Sequence, residues 1–113
     1  MAGFNTEAFA HRWCQLSLLE QMAHIGSEVE RIASWKKKGN TELSTKALYR
    51  SLELLDLSLA DPRWTGGTLR ELARVREILC DAYVGDNTYN TTPEFLSKYF
   101  YSFAVAARRR IGS

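Results

Sequence analysis

Residues Ser17 to Gly39 read SLLEQMAHIGSEVERIASWKKKG, and the spacing of their apolar side chains is that of a helix with one buried face. Leu18, Met22, Ile25, Val29 and Ile32 recur at alternating steps of four and three. Leu19, Gly26 and Ala33, seven residues apart, run beside that row and widen it into a core-facing stripe. The stretch carries its own boundaries. Ser17 and Glu20 form a capping-box pattern, in which hydroxyl and carboxylate each accept an otherwise orphaned backbone N–H. Lys36, Lys37 and Lys38 set positive charge against the negative end of the helix dipole, and Gly39 can take the left-handed conformation that closes the last turn. About 21 residues at ~1.5 Å each give a helix roughly 30 Å long.

A chain of 113 residues that is 45% hydrophobic suffices for one domain with a single core and no disulfide or metal. The formal net charge of +2, from 15 basic and 13 acidic residues, permits contact with nucleic acid without requiring it. No segment approaches the ~20 apolar residues that cross a bilayer. Asn5, Glu7, His11 and Arg12 stand where a signal peptide would need an apolar run, so a cytoplasmic protein with no membrane partner is expected. Cys14 and Cys80 lack a C-x-x-C pairing and read as free thiols.

On the N-terminal side, Phe9, Trp13 and Leu16 keep helical spacing but fall out of phase with the Leu18 row, so residues 1–16 read as a separate arm. Its aromatics can bury on the arm's own bundle or on a neighbouring subunit. On the C-terminal side, Leu48, Leu52, Leu55 and Leu59 form one row, and Leu43, Ala47, Leu54 and Leu57 another, up to the stop at Ala60-Asp61-Pro62. Thr68 and Glu71 suggest a second capping box. A third helix then runs through Leu69, Leu72, Val75, Leu79 and Ala82 to Tyr83. Arg76 lies in its inner row, with Glu53, Asp56 or Glu28 as the expected ion-pair partner. Thr92-Pro93-Glu94 opens a last helix, with Phe95, Leu96, Tyr99, Phe100, Phe103, Ala104 and Ala107 on the inward face. The expectation is an all-α protein, an antiparallel up-down-up-down four-helix bundle with an N-terminal arm. The arm takes residues 1–16 and the bundle 17–113, with helices at about 17–38, 41–59, 69–84 and 93–109.

Chemistry is sparse. A di-iron bundle needs two Glu-x-x-His pairs, and Glu20-x-x-x-His24 is one residue too long. Glu7, His11 and Cys14 could meet on a helical arm, but two or three residues at helical spacing do not make a metal site, and no metal or cofactor is expected. No serine sits on a strand-turn-helix elbow, and neither cysteine has a histidine placed to activate it. Small helical RNases carry an Arg-x4–6-His motif that neither histidine here fits, so no catalytic residue is expected. The basic residues Arg63, Arg70, Arg108, Arg109 and Arg110 converge on one bundle end and are the candidate nucleic-acid contacts, although solvated helix ends that complement the dipoles are the simpler explanation and the favoured one.

The runs LSLLEQMAHIGSEVER with the following W-KKKGN, LELLDLSLADP, and GDNTYNTTPEFLSKYFYSFAVAAR carry a resemblance over about residues 16–108. Together they resemble a family of conserved bacterial cytosolic proteins of uncharacterised function. Its members form four-helix bundles assembled into pentameric rings. That architecture is similar to the accessory protein of diversity-generating retroelements, which partners a reverse transcriptase, and to the protein encoded in 23S ribosomal RNA intervening sequences. No catalytic residue is implied by it.

The function expected from these readings is a non-catalytic homo-oligomeric scaffold or adaptor. The alternative is a nucleic-acid-binding accessory protein, and an RNase-type enzyme stands third. Phe4, Phe9, Trp13, Gly26, Trp35, Trp64, Tyr99 and Tyr101 are the candidate oligomer interface, because they are more large aromatics than a small monomer leaves exposed, with a mid-helix glycine that admits a close backbone. If the helix rows are the core, Val29→Ala and Leu55→Ala should each lower stability by about 2 to 4 kcal/mol in thermal melts. Unchanged melting of both would remove the proposed register.

Overall fold

The computed structural model describes the backbone of residues 6–112 and the side chains of residues 6–106; among them every regular element is helical. The helices are α1 (Glu7–Trp13), α2 (Leu18–Lys37), α3 (Thr41–Leu59), α4 (Gly66–Tyr83) and α5 (Pro93–Gly112). Phe4 lies outside the described residues, as do the side chains of Ala107, Arg108, Arg109 and Arg110.

The ends of α2 follow from its sequence. Ser17 Oγ accepts the Glu20 N–H at 3.1 Å, and the Glu20 carboxylate accepts the Ser17 N–H at 3.0 Å. At the other end Gly39 takes φ +76°, so that the Gly39 N–H reaches the Lys36 carbonyl and the Asn40 N–H the Trp35 carbonyl, closing the helix in a Schellman turn. Asn40 then caps α3 through its side-chain oxygen on the Leu43 N–H.

α2 packs along both α3 and α5, α4 packs on α3, and α1 on α3; no comparably close packing joins α4 to α5 among the described residues. The core consists of Met22, Ile25, Val29 and Ile32 from α2, Ala47, Leu48, Leu54 and Leu55 from α3, Leu72, Val75 and Leu79 from α4, Leu96 and Phe100 from α5, and Trp13 from α1. Small residues bring α2 close to its neighbours. Ser44, Ser51 and Ser58, seven apart on α3, are all buried; Ser44 donates to the Ile32 carbonyl across the α2–α3 contact, and Ser51 donates within α3 to the Ala47 carbonyl. Arg76 of α4 reaches Asp56 of α3 at 2.6 Å, one of the pairings its row position suggested.

Two expectations are corrected. Helix α4 begins at Gly66, three residues before the expected start at 69, with Thr65 as the cap residue and no side-chain cap bond. Gly66 at φ +58° makes this entry accessible, so Thr68 lies within the helix and its capping box does not form; the Glu71 carboxylate accepts the Tyr99 hydroxyl of α5 instead. Phe95 is not inward: it is 55% exposed, because α5 turns Leu96 and Phe100 toward α2 and residue 95 falls about 100° round the helix from Leu96.

A Cβ at Gly26 would stand 2.4 Å from Phe100 Cβ, so the close approach that this glycine allows is that of α5 in the same chain. Gly26→Ala gains about 1 kcal/mol of helix propensity, but it forces α2 and α5 apart at an overpacking cost of about 1 to 3 kcal/mol. A net loss of up to about 2 kcal/mol in urea unfolding is expected, and a larger one for Gly26→Leu. A stabilised Gly26→Ala variant would contradict this packing.

Candidate functional site

The densest polar arrangement lies where α1, α2 and the end of α3 meet, and it is built around Gln21, which has 0% exposure. Gln21 stands beside Met22 on the buried side of α2, so its amide cannot reach water and must be satisfied internally. Its Nε2 donates to the Trp13 carbonyl at 2.9 Å and to Asp61 Oδ2 at 3.2 Å. Its Oε1 accepts from Ser58 Oγ at 2.8 Å and from Trp64 Nε1 at 2.9 Å. Both N–H donors and both lone pairs are thereby used. Ser58 Oγ in turn accepts Trp13 Nε1 at 3.0 Å.

Asp61, just past the end of α3 and fixed by the following Pro62, is buried and faces Arg63. The guanidinium donates to it from Nε at 3.1 and 3.2 Å and from a terminal nitrogen at 2.7 Å, and the Arg63 backbone N–H adds a bond at 3.0 Å. Those hydrogen bonds outweigh burial and hold the Asp61 carboxyl down to about 2, from an ordinary 3.8. Arg63 also donates to the Leu16 carbonyl at 2.7 Å and stacks over Trp64. Nearby, burial and the Asp61 charge push the Cys14 thiol up, which keeps it protonated and a poor nucleophile.

These contacts redistribute the residues singled out from sequence. Trp13 is 3% exposed and Trp64 half-buried, both bonded within their own chain, and Gly26 lies beneath Phe100; packing within the chain therefore accounts for all three. Phe9 is half-buried and stacks on Trp13. Trp35 is half-buried with Lys38 Nζ 5.0 Å from its ring. Tyr99 is half-buried between α4 and α5, while Tyr101 is 63% exposed. Of the candidate phosphate contacts, Arg63 has its guanidinium engaged by Asp61, and Arg70 stands exposed on α4, away from any ion pair among the described residues. The side chains of Arg108, Arg109 and Arg110 lie outside the description.

Gln21, Ser58 and Asp61 were not anticipated. The available signal was a polar side chain next to the Met22 row, together with the heptad repeat Ser44, Ser51, Ser58 among leucines. A second feature is the seam between α4 and α5, where Phe95 stacks on Tyr99 with centroids 6.5 Å apart beside Ile78 and Tyr89. No group of three or more His, Cys, Asp or Glu able to hold a metal ion occurs among the described residues, and no helix there is long and apolar enough to cross a membrane. Compared with protein-family models, curated proteins and solved structures, the chain matches none.

Because the folded Asp61 carboxyl titrates below its unfolded value, its contribution to stability is present above about pH 4 and is lost as pH falls through about 2. Its size is about 2 kcal/mol. Asp61→Asn should lose about that much at neutral pH and show a flatter stability profile across the acid window, measured by denaturant unfolding at stepped pH. A variant profile parallel to the wild type would remove Asp61 as the source.

Proposed function

We propose that the protein is a non-catalytic homo-oligomeric scaffold or adaptor, built as an up-down-up-down four-helix bundle of α2 to α5 with α1 as an N-terminal arm. The observation that carries this reading is the α4–α5 seam. Phe95 at 55% exposure and Tyr89 at 56% lie on it without cover, and Tyr101 projects from another side of α5. Uncovered aromatic surface of this kind is characteristic of protein interfaces. The occupant proposed is a second copy of the chain. The seam carries Arg74 and Glu77 side by side, a mixed-sign surface that can complement a like surface without net repulsion. Closed rings require one patch to meet a different patch on the next subunit, and seam and Tyr101 flank are two such patches; a pentameric ring is the closed form that the family resemblance implies.

The arm has a different part here from bridging subunits. With Trp13 in the core, its aromatic anchor serves the subunit that bears it. The nucleic-acid alternative rests on Arg70 and on Arg108 to Arg110, since Arg63 is held by Asp61 and Leu16.

Light scattering of the purified protein should give a mass several times the 12.9 kDa of the chain. Phe95→Glu and Tyr101→Glu, both at exposed positions, should lower that mass while leaving the helical signal intact. Deletion of the arm is a poor test because it also removes Trp13 from the core. A wild-type protein that stays monomeric at micromolar concentration would overturn the proposal.

A further inference from the structure

Two exposed helix rows of this chain carry opposite charges in matching order. On α5, Glu94, Lys98 and Tyr101 follow one another at steps of four and three, which sets them in one row, and all three are exposed. On α4, Arg74 and Glu77 stand one turn apart beside the α4–α5 seam, both exposed. Glu94, Lys98 and Arg74 enter no ion pair among the described residues, although each has an opposite charge one turn away on its own helix. Glu77 accepts the Tyr89 hydroxyl on one oxygen at 2.8 Å and keeps the other for a further partner.

The order of these charges selects one orientation. A second copy whose α5 lies parallel to this α4 sets its Glu94 against Arg74 and its Lys98 against Glu77. Between those charges the two rows advance about 6 and 4.5 Å, at ~1.5 Å per residue, and long side chains absorb the difference. Turned antiparallel in the same register, acid meets acid and base meets base. One turn beyond Lys98, Tyr101 of the second copy arrives alongside the end of α4. There a shallow recess of about 510 Å³ lies between α4 and the loop that follows it, with Val84, Gly85, Thr88 and Tyr89 in its lining. Val84 is 66% exposed and Tyr89 56%, an apolar pair without cover in the single chain. A tyrosine offers such walls an apolar ring while its hydroxyl stays wet, the combination that enriches tyrosine at interfaces.

We propose that α5 of a second copy docks parallel to α4, with its Lys98 on Glu77, its Glu94 on Arg74 and its Tyr101 in the recess beside Val84. This rests on the assembly reading and gives it an orientation and a register. Exposed ion pairs are screened and add little strength, so here they fix the direction of the contact while the apolar recess holds it.

The test is sedimentation velocity of the full chain at micromolar concentration, with circular dichroism reporting on every variant that the helices persist. Lys98→Glu and Glu77→Lys each place like charges face to face and should each weaken association at least about tenfold. The double variant exchanges the two charges and should return to within about threefold of the wild type, which two independent losses would not do. In about 1 M salt, where the Debye length is ~3 Å, the single variants should approach the wild type. Tyr101→Ala should dissociate the assembly, and Lys46→Glu, on α3, should leave it intact. A wild type that stays monomeric overturns the proposal together with the assembly reading. An oligomeric wild type whose mass survives both single reversals, or a double variant no better associated than either, overturns the pairing alone.

Discussion

The four hydrogen bonds of the Gln21 carboxamide are the constraint on which one whole end of the molecule depends. A primary amide taken out of water costs several kcal/mol unless each donor and acceptor is met, so this side chain is tolerable only with all its partners in place. Those partners come from the end of α1, from α3 and from the turn that follows it, which are separate in sequence and are brought into register by one group. Satisfied networks of this kind specify a single arrangement, whereas loss of any member leaves the others unpaired in a medium of low dielectric. Arg63 completes the set by neutralising Asp61 and by holding the Leu16 carbonyl, which ties the α1–α2 connection to the α3–α4 connection.

A second constraint is size. Gly26 under Phe100 lets α5 close on α2, and Ser44, Ser51 and Ser58 do the corresponding work against α3. The serine hydroxyls bond to carbonyls or to Gln21, so the small side chains fill the contact without leaving unmatched polar atoms. With its volume taken up by two close neighbours, α2 is central, and α4 is held through α3 rather than through α5. The looser seam that results carries Phe95 and Tyr89 outward, while Tyr99 bridges it to Glu71. The polar network and the open seam therefore sit in different parts of the fold, the first fixing how α1, α2 and α3 meet and the second leaving Phe95 and Tyr89 exposed.

Local signals in this chain were legible because they act within a few residues. The Ser17–Glu20 box, the Lys36-Lys37-Lys38-Gly39 ending, and the Met22, Ile25, Val29, Ile32 row all depend on helix geometry alone, and each is found as the sequence indicated. Where two local solutions competed, sequence was less decisive. Thr65 and Thr68 both precede helix-forming residues, and the left-handed Gly66 settled the matter in favour of the earlier start. Phe95 has the hydrophobicity of a core residue, but the orientation of α5 is fixed by Leu96 and Phe100 against α2.

By itself the sequence determined that the described residues are helical, where the long helices run within a few residues, and that the Met22, Ile25, Val29 and Ile32 row of α2 is buried, since those depend on periodicity, caps and breakers. The tertiary structure alone decided which helix approaches Gly26, that Trp13 and Trp64 bond within their own chain, and that Arg63 is held by Asp61 and Leu16. The reason is that these outcomes depend on pairings between residues far apart in the chain, such as Leu16 with Arg63, 47 positions on, and Gly26 with Phe100, farther still. No periodicity of a single helix encodes which distant partner a buried amide or an arginine will find.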